Sequence, residues 1–154
     1  MRTLIIGLGN PILGDDGVGW KVASQLSAII DPDSAIEIDC ASLGGLSLME
    51  RMLGYQRVII IDSMETGQSP EGCVKVFPLA ELENPYAGHS ASVHDASLVT
   101  ALEAAQSIGA EVPSHVDVVA IEAKNVYDFS DVLSPEVEKA VPLAAKEVLK
   151  LLDD

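Results

Sequence analysis

Three side chains in this sequence carry the chemistry of a divalent-cation site: Asp16, Asp62 and His94. Two carboxylates and one imidazole are hard and borderline donors. That mixture suits an ion such as nickel, zinc or manganese better than copper(I) or an iron–sulfur cluster. The spacing is not that of a ligand set on a single helix, since no His-Glu-x-x-His run occurs. Each ligand must come from a different element, so the fold has to bring them together.

Asp16 stands in the densest run of the chain, Gly7-Leu8-Gly9-Asn10-Pro11-Ile12-Leu13-Gly14-Asp15-Asp16-Gly17-Val18-Gly19. Read as a dinucleotide loop, Gly7 and Gly9 fill the first two glycine positions and Asp39 is the ribose acid. Ile12 in the third glycine position and the extra Asn10-Pro11 count against that reading. So do two carboxylates placed where a helix start should meet a pyrophosphate. A plainer reading has Asp15 cap the following helix and Asp16 favour its dipole. It leaves Gly17 and Gly19 unexplained, because each costs about 1 kcal/mol inside a helix relative to Ala. Something has to approach the backbone there.

Asp62 ends an apolar run. It either faces the ligand edge of an open α/β sheet, outside the carboxyl ends of the strands, or caps a turn, a role equally open to Ser63. If the first and third strands are neighbours, Asp16 and Asp62 face one crevice. Ser92-Val93-His94-Asp95 has the form of a capping box. It puts His94 in a first helical turn, where the helix dipole favours the neutral imidazole that a metal needs. His89, five residues earlier in a polar loop, competes for the same role. His115 precedes a strand and is expected at the surface.

The elements that must position these groups alternate between short β-rich runs and helical ones, the pattern of α/β layering. Leu4–Ile6 reads as a strand and Asp16–Ile30 as a helix with Val18, Val22, Leu26 and Ile29 at helical spacing. Ala35–Asp39 is a second strand and Leu46–Leu53 a second helix ended by Gly54. Arg57–Asp62 is continuously apolar in its middle, as suits a central strand covered on both faces. The link to the next strand, Cys73–Phe77, is too short for a helical crossover. That strand is expected to be antiparallel and at an edge. Ala80–Ser92 reads as a loop, Val93–Ser107 as a helix, Val116–Glu122 as the last strand and Pro135–Leu152 as the closing helix. Pro142 must lie near the start of that helix or kink it.

The whole chain of 154 residues fits one domain, 1–154, with enough length for a sizeable core. Hydrophobic residues make up 48% and aromatics only 4%, so the core must come from Val, Ile, Leu and Ala. A formal charge of -15 with no basic run makes binding to nucleic acid or to an anionic membrane unfavourable. Two cysteines without a CxxC, and an amino terminus without a signal-peptide core, imply a cytoplasmic protein. Cys40 and Cys73 are expected as small buried hydrophobes. Trp20 is expected to pack. There is no GxSxG elbow and no Walker lysine motif.

Gly7-Leu8-Gly9-Asn10 followed by Gly14-Asp15-Asp16-Gly17-Val18-Gly19 resembles the opening motif of the hydrogenase maturation endopeptidases. Asp62 after a strand, and a Ser-x-x-His stretch later, extend the likeness over essentially the whole chain. The resemblance implies a three-layer α/β/α sandwich around a twisted sheet of about five strands, one of them antiparallel. It implies an endopeptidase that removes a carboxyl-terminal extension from the large-subunit precursor of a nickel–iron hydrogenase after nickel insertion. Asp16, Asp62 and His94 would be both metal-contacting and catalytic, nickel would come with the substrate, and the enzyme would act as a monomer. Alternatives from other classes are a nucleotide-binding oxidoreductase and a non-catalytic nickel-binding maturation factor.

Overall fold

The computed structural model describes residues 1–83 and 93–154; the side chains of 82–83 and 93–97 also lie outside the described set. Five strands form one sheet: β1 (Thr3–Leu8), β2 (Ile36–Ala41), β3 (Arg57–Met64), β4 (Val74–Pro78) and β5 (His115–Glu122). Their spatial order is β2-β1-β3-β5-β4. All pairs are parallel except β4–β5, which is antiparallel and lies at the edge, as the short link before β4 required. Among the described residues four α-helices accompany the sheet: α1 (Val18–Ser27), α2 (Gly45–Met52), α3 (Val93–Ser107) and α4 (Pro135–Leu152).

The sheet is covered on both faces. Ile5, Ile59, Ile61, Val119 and Ile121 pack with α1 and α4. Leu4, Ile6, Val58, Ile60 and Val118 pack with α2 and with Leu98 of α3. The alternation follows from the period of two along a strand. Ile59, Ile60 and Ile61 are each fully buried. Burying one such side chain contributes about 1.5–3 kcal/mol, more than the net ~1 kcal/mol of a typical hydrogen bond. The end of β3 that carries Asp62 is therefore held chiefly by its apolar neighbours. Among the described residues, no helix is long and apolar enough to cross a membrane.

Several boundaries differ from the sequence reading. The first helix starts at Val18, not Asp16, and ends at Ser27, not Ile30. Asp15 and Asp16 lie instead in a 3₁₀ turn, Gly14–Gly17. The strand β3 continues two residues beyond Asp62, because β5 keeps pairing with it as far as Met64↔Glu122. Pro142 sits inside α4, not near its start. It is exposed there, as is Glu138, whose carbonyl loses a helical donor on the solvent side.

Candidate active site

The first and third strands are neighbours, and their pairing ends at Gly7↔Ile61. Beyond that point β1 gives way to the glycine-rich loop while β3 runs on. The order β2-β1-β3 makes this the place where consecutive connections leave in opposite directions. Ligand sites of open α/β sheets form at such a switch point.

The glycines let the loop and the start of α1 sit directly on the strand ends. A Cβ on Gly19 would lie 2.4 Å from the Ile61 carbonyl oxygen and 2.5 Å from that of Leu8. One on Gly7 would lie 2.3 Å from the Gly19 oxygen. The group that approaches the backbone at Gly19 is thus the protein's own main chain. No Cβ fits there at all, so the helix-propensity cost of glycine is offset by this packing.

Asp15 and Asp16 have separate jobs. Asp15 is fully buried. Its carboxylate accepts the Ser134 backbone N–H at 2.7 Å and the Ser134 hydroxyl at 2.8 Å. Ser134 is the N-cap residue of α4. The expectation that Asp15 caps the first helix is corrected: α1 has Gly17 at its N-cap and no side-chain cap. Asp15 serves the start of the last helix instead.

Asp16 is half-buried and points back across the loop. Its Oδ2 accepts the Asn10 N–H at 2.8 Å and its Oδ1 accepts the Ser63 hydroxyl at 3.1 Å. Asp62 is 3% exposed, and the adjacent Ser63 N–H donates to its Oδ1 at 2.8 Å. Ser63 therefore touches both acids, one through its side chain and one through its main chain. The sequence reading had weighed Ser63 only as a cap. The signal was its position beside a strand-end acid with no helix following.

Glu122 buttresses the same edge from β5. It is buried, and it accepts the Thr66 N–H at 2.9 Å, the Gly67 N–H at 3.3 Å and the Thr66 hydroxyl, fixing the turn that leaves β3. Sequence reasoning passed over Glu122 because nothing in the pattern of β5 marked it.

His94 falls in the first turn of α3, as expected, but its side chain lies outside the described residues. His89 and Ser92 lie outside them altogether. Among the described residues, no three His, Cys, Asp or Glu side chains converge as a metal-binding group. His115 is exposed at the opposite, amino end of β5. Cys40 and Cys73 are free and only partly buried, where small buried hydrophobes were expected. Trp20 does pack, and its indole N–H donates to the Ala41 carbonyl at 3.2 Å, tying α1 to β2.

Two features disfavour a dinucleotide. The Asn10 N–H, which a phosphate would need, is already held by Asp16. Asp39, the candidate ribose acid, pairs with Arg51 Nε at 3.1 Å.

The model of the hydrogenase maturation protease family matches residues 20–151. The match begins just past Gly19, so the glycine run adds to it independently. A chain of Methanocaldococcus jannaschii named among the hydrogenase maturation proteases is 32% identical over 149 residues, covering 95% of this chain and 93% of that one. The structure resembles that of the hydrogenase maturating endopeptidase HybD of Escherichia coli, with a TM-score of 0.81 and 26% identity over 99% of this chain and 93% of that one. It also resembles the nickel–iron hydrogenase maturation protease HybD of Thermococcus kodakarensis, with a TM-score of 0.75 and 25% identity over 98% and 99% of the two chains. With these agreements over nearly its full length, the chain belongs to the hydrogenase maturation protease family.

Proposed function

We propose that this chain cleaves the carboxyl-terminal extension from the large-subunit precursor of a nickel–iron hydrogenase, and that nickel already seated in the precursor is read by Asp16, Asp62 and His94. The observation that carries this reading is the Ser63 bridge, which fixes two carboxylates at the sheet's switch point. The donor set fits the cation. An ionised carboxylate has about four lone-pair sites. The two hydrogen bonds described on Asp16 leave room for further contacts and set its orientation. Asp16, Asp62 and His94 would hold such an ion, and its Lewis acidity would serve to polarise the scissile carbonyl.

The protein's own part is positional and electrostatic. Ser63 and Asn10 hold the Asp16 carboxylate, and Ser63 orients that of Asp62. The formal charge of -15 favours approach of a cation-bearing surface. Cys40 is not set up as a nucleophile: burial, and then the neighbouring Asp39 carboxylate, push its thiol above its ordinary value.

The test is incubation of the purified chain with nickel-loaded and nickel-free precursor, followed by mass spectrometry. The loaded precursor should lose its extension and the nickel-free one should stay full length. Efficient cleavage of nickel-free precursor by chelator-treated enzyme would overturn the metal reading. Binding of loaded precursor without cleavage would favour a non-catalytic maturation factor.

A further inference from the structure

The segment between β5 and α4 is strapped to the glycine-rich loop. Gly14 N–H donates to the Ser130 carbonyl at 2.8 Å, Ser130 N–H to the Ile12 carbonyl at 3.0 Å, and Asp15 N–H to the Asn125 carbonyl at 2.9 Å. Gly14 has φ 57°, and a Cβ on it would lie 2.4 Å from the Asn125 oxygen, so the close approach requires glycine. Val126 and Leu133 anchor the segment in the core. Between those anchors the apolar side chains turn outward. Tyr127 is 78% exposed, Phe129 86% and Val132 68%. The pairing Leu13↔Ser130 sets the 56%-exposed Ile12 alongside Phe129.

This exposure is costly in a chain with six aromatic residues, two of which stand here in the solvent. Folding does not need them outside, since the strap is made by main-chain bonds and by the two anchors. An exposed apolar patch with Lys124, Asp128 and Asp131 among its members has the make-up of a protein-binding surface, with aromatic anchors and a polar rim. It is also bonded directly to the loop that carries Asp16. A partner seated on it is thereby registered against the candidate active site.

We infer that Tyr127, Phe129 and Ile12 form a docking platform for an apolar patch on the folded body of the precursor, beside the segment that is cut. The platform gives affinity and register and takes no part in bond breaking. This inference rests on the function proposed above.

The experiment compares wild type with the Tyr127→Ser/Phe129→Ser variant on nickel-loaded large-subunit precursor, measuring kcat and KM, with a thermal melt and sedimentation of both enzymes. The expected result is a KM raised at least about tenfold with kcat within about twofold, as for loss of aromatic anchors that bind ground and transition states alike. An unchanged KM with wild-type cleavage intact would overturn the platform. So would a wild-type dimer that the variant converts to monomer without a change in KM, because the patch would then bind a second copy. Failure of the wild type to cleave any precursor would overturn the functional reading itself. Should the double variant melt early, Phe129→Tyr and Tyr127→Phe keep the ring and must restore KM.

Discussion

The Ser63 hydroxyl donates to Asp16 Oδ1 at 3.1 Å, across 47 positions of sequence. This hydrogen bond joins the glycine-rich loop to the end of β3. Removing it should loosen Asp16 without removing the acid. Ser63→Ala is expected to lower the rate of precursor processing about ten- to hundredfold, the usual effect of losing a group that orients a ligand. Stability should fall by only about 1 kcal/mol. A mass-spectrometric time course and a melt check both.

Asp16→Ala, Asp62→Ala and His94→Ala should each reduce processing by more than about a hundredfold, beyond the cost of an orienting partner. Circular dichroism should show the native fold in all three. Loss of folding in every one of them would assign these residues to structure instead.

The neighbouring acid should behave in the opposite way. Asp15 is buried, and losing its carboxylate strands two Ser134 donors. Asp15→Ala is expected to destabilise the fold by about 2–4 kcal/mol and to lower Tm by roughly 5–15 °C. Urea denaturation of Asp15→Ala beside Asp16→Ala separates a structural acid from a functional one at adjacent positions.

Gly19→Ala should be among the most damaging single-methyl additions in the chain. Its Cβ would meet two backbone carbonyl oxygens at 2.4 and 2.5 Å, neither free to move without shifting a strand. A loss of about 3 kcal/mol is expected, read as a lower urea midpoint. Gly67→Ala meets no atom within 4 Å, though its φ of 68° makes alanine strained. It should cost only about 1 kcal/mol.

Cys40 gives a pH test. Its folded-state value is raised by burial and by Asp39. The native state therefore favours the protonated thiol. That contribution is fully present below the ordinary thiol value and is lost as pH rises through the raised one. Native alkylation by iodoacetamide should be slow at neutral pH and quicken only in the alkaline range. Cys40→Ser should flatten the alkaline loss of stability and leave processing intact, and Cys73→Ser should also remain active.

Much of this architecture was legible in residue patterning. The continuous run Val58-Ile59-Ile60-Ile61 could only be a strand covered twice, and the short link before β4 excluded a parallel crossover. α3 and α4 have the bounds that caps and apolar spacing implied. The glycine-rich loop was harder. Its residues pointed to a close backbone approach, but not to the partner, because Ile61 and Leu8 meet Gly19 only in three dimensions. Asp15 was misread for a related reason. A local capping rule sees the next helix, whereas the partner Ser134 stands 119 positions away. Ser63 was visible as a polar residue beside Asp62, and its second role needed the β1–β3 pairing.

The long reach from Asp15 to Ser134 also bears on the order of assembly. The glycine-rich loop leaves a ribosome well before the donors its buried carboxylate requires, which follow 119 positions later. Contacts this far apart in sequence form late, since the intervening chain must be gathered first. A nascent chain that stops before Ser134 leaves the Asp15 carboxylate without those donors, and takes away the α4 face of the core in which Val126 and Leu133 sit. The edge that would engage a precursor is therefore completed only when the last helix docks, so a truncated product should neither bind nor cut.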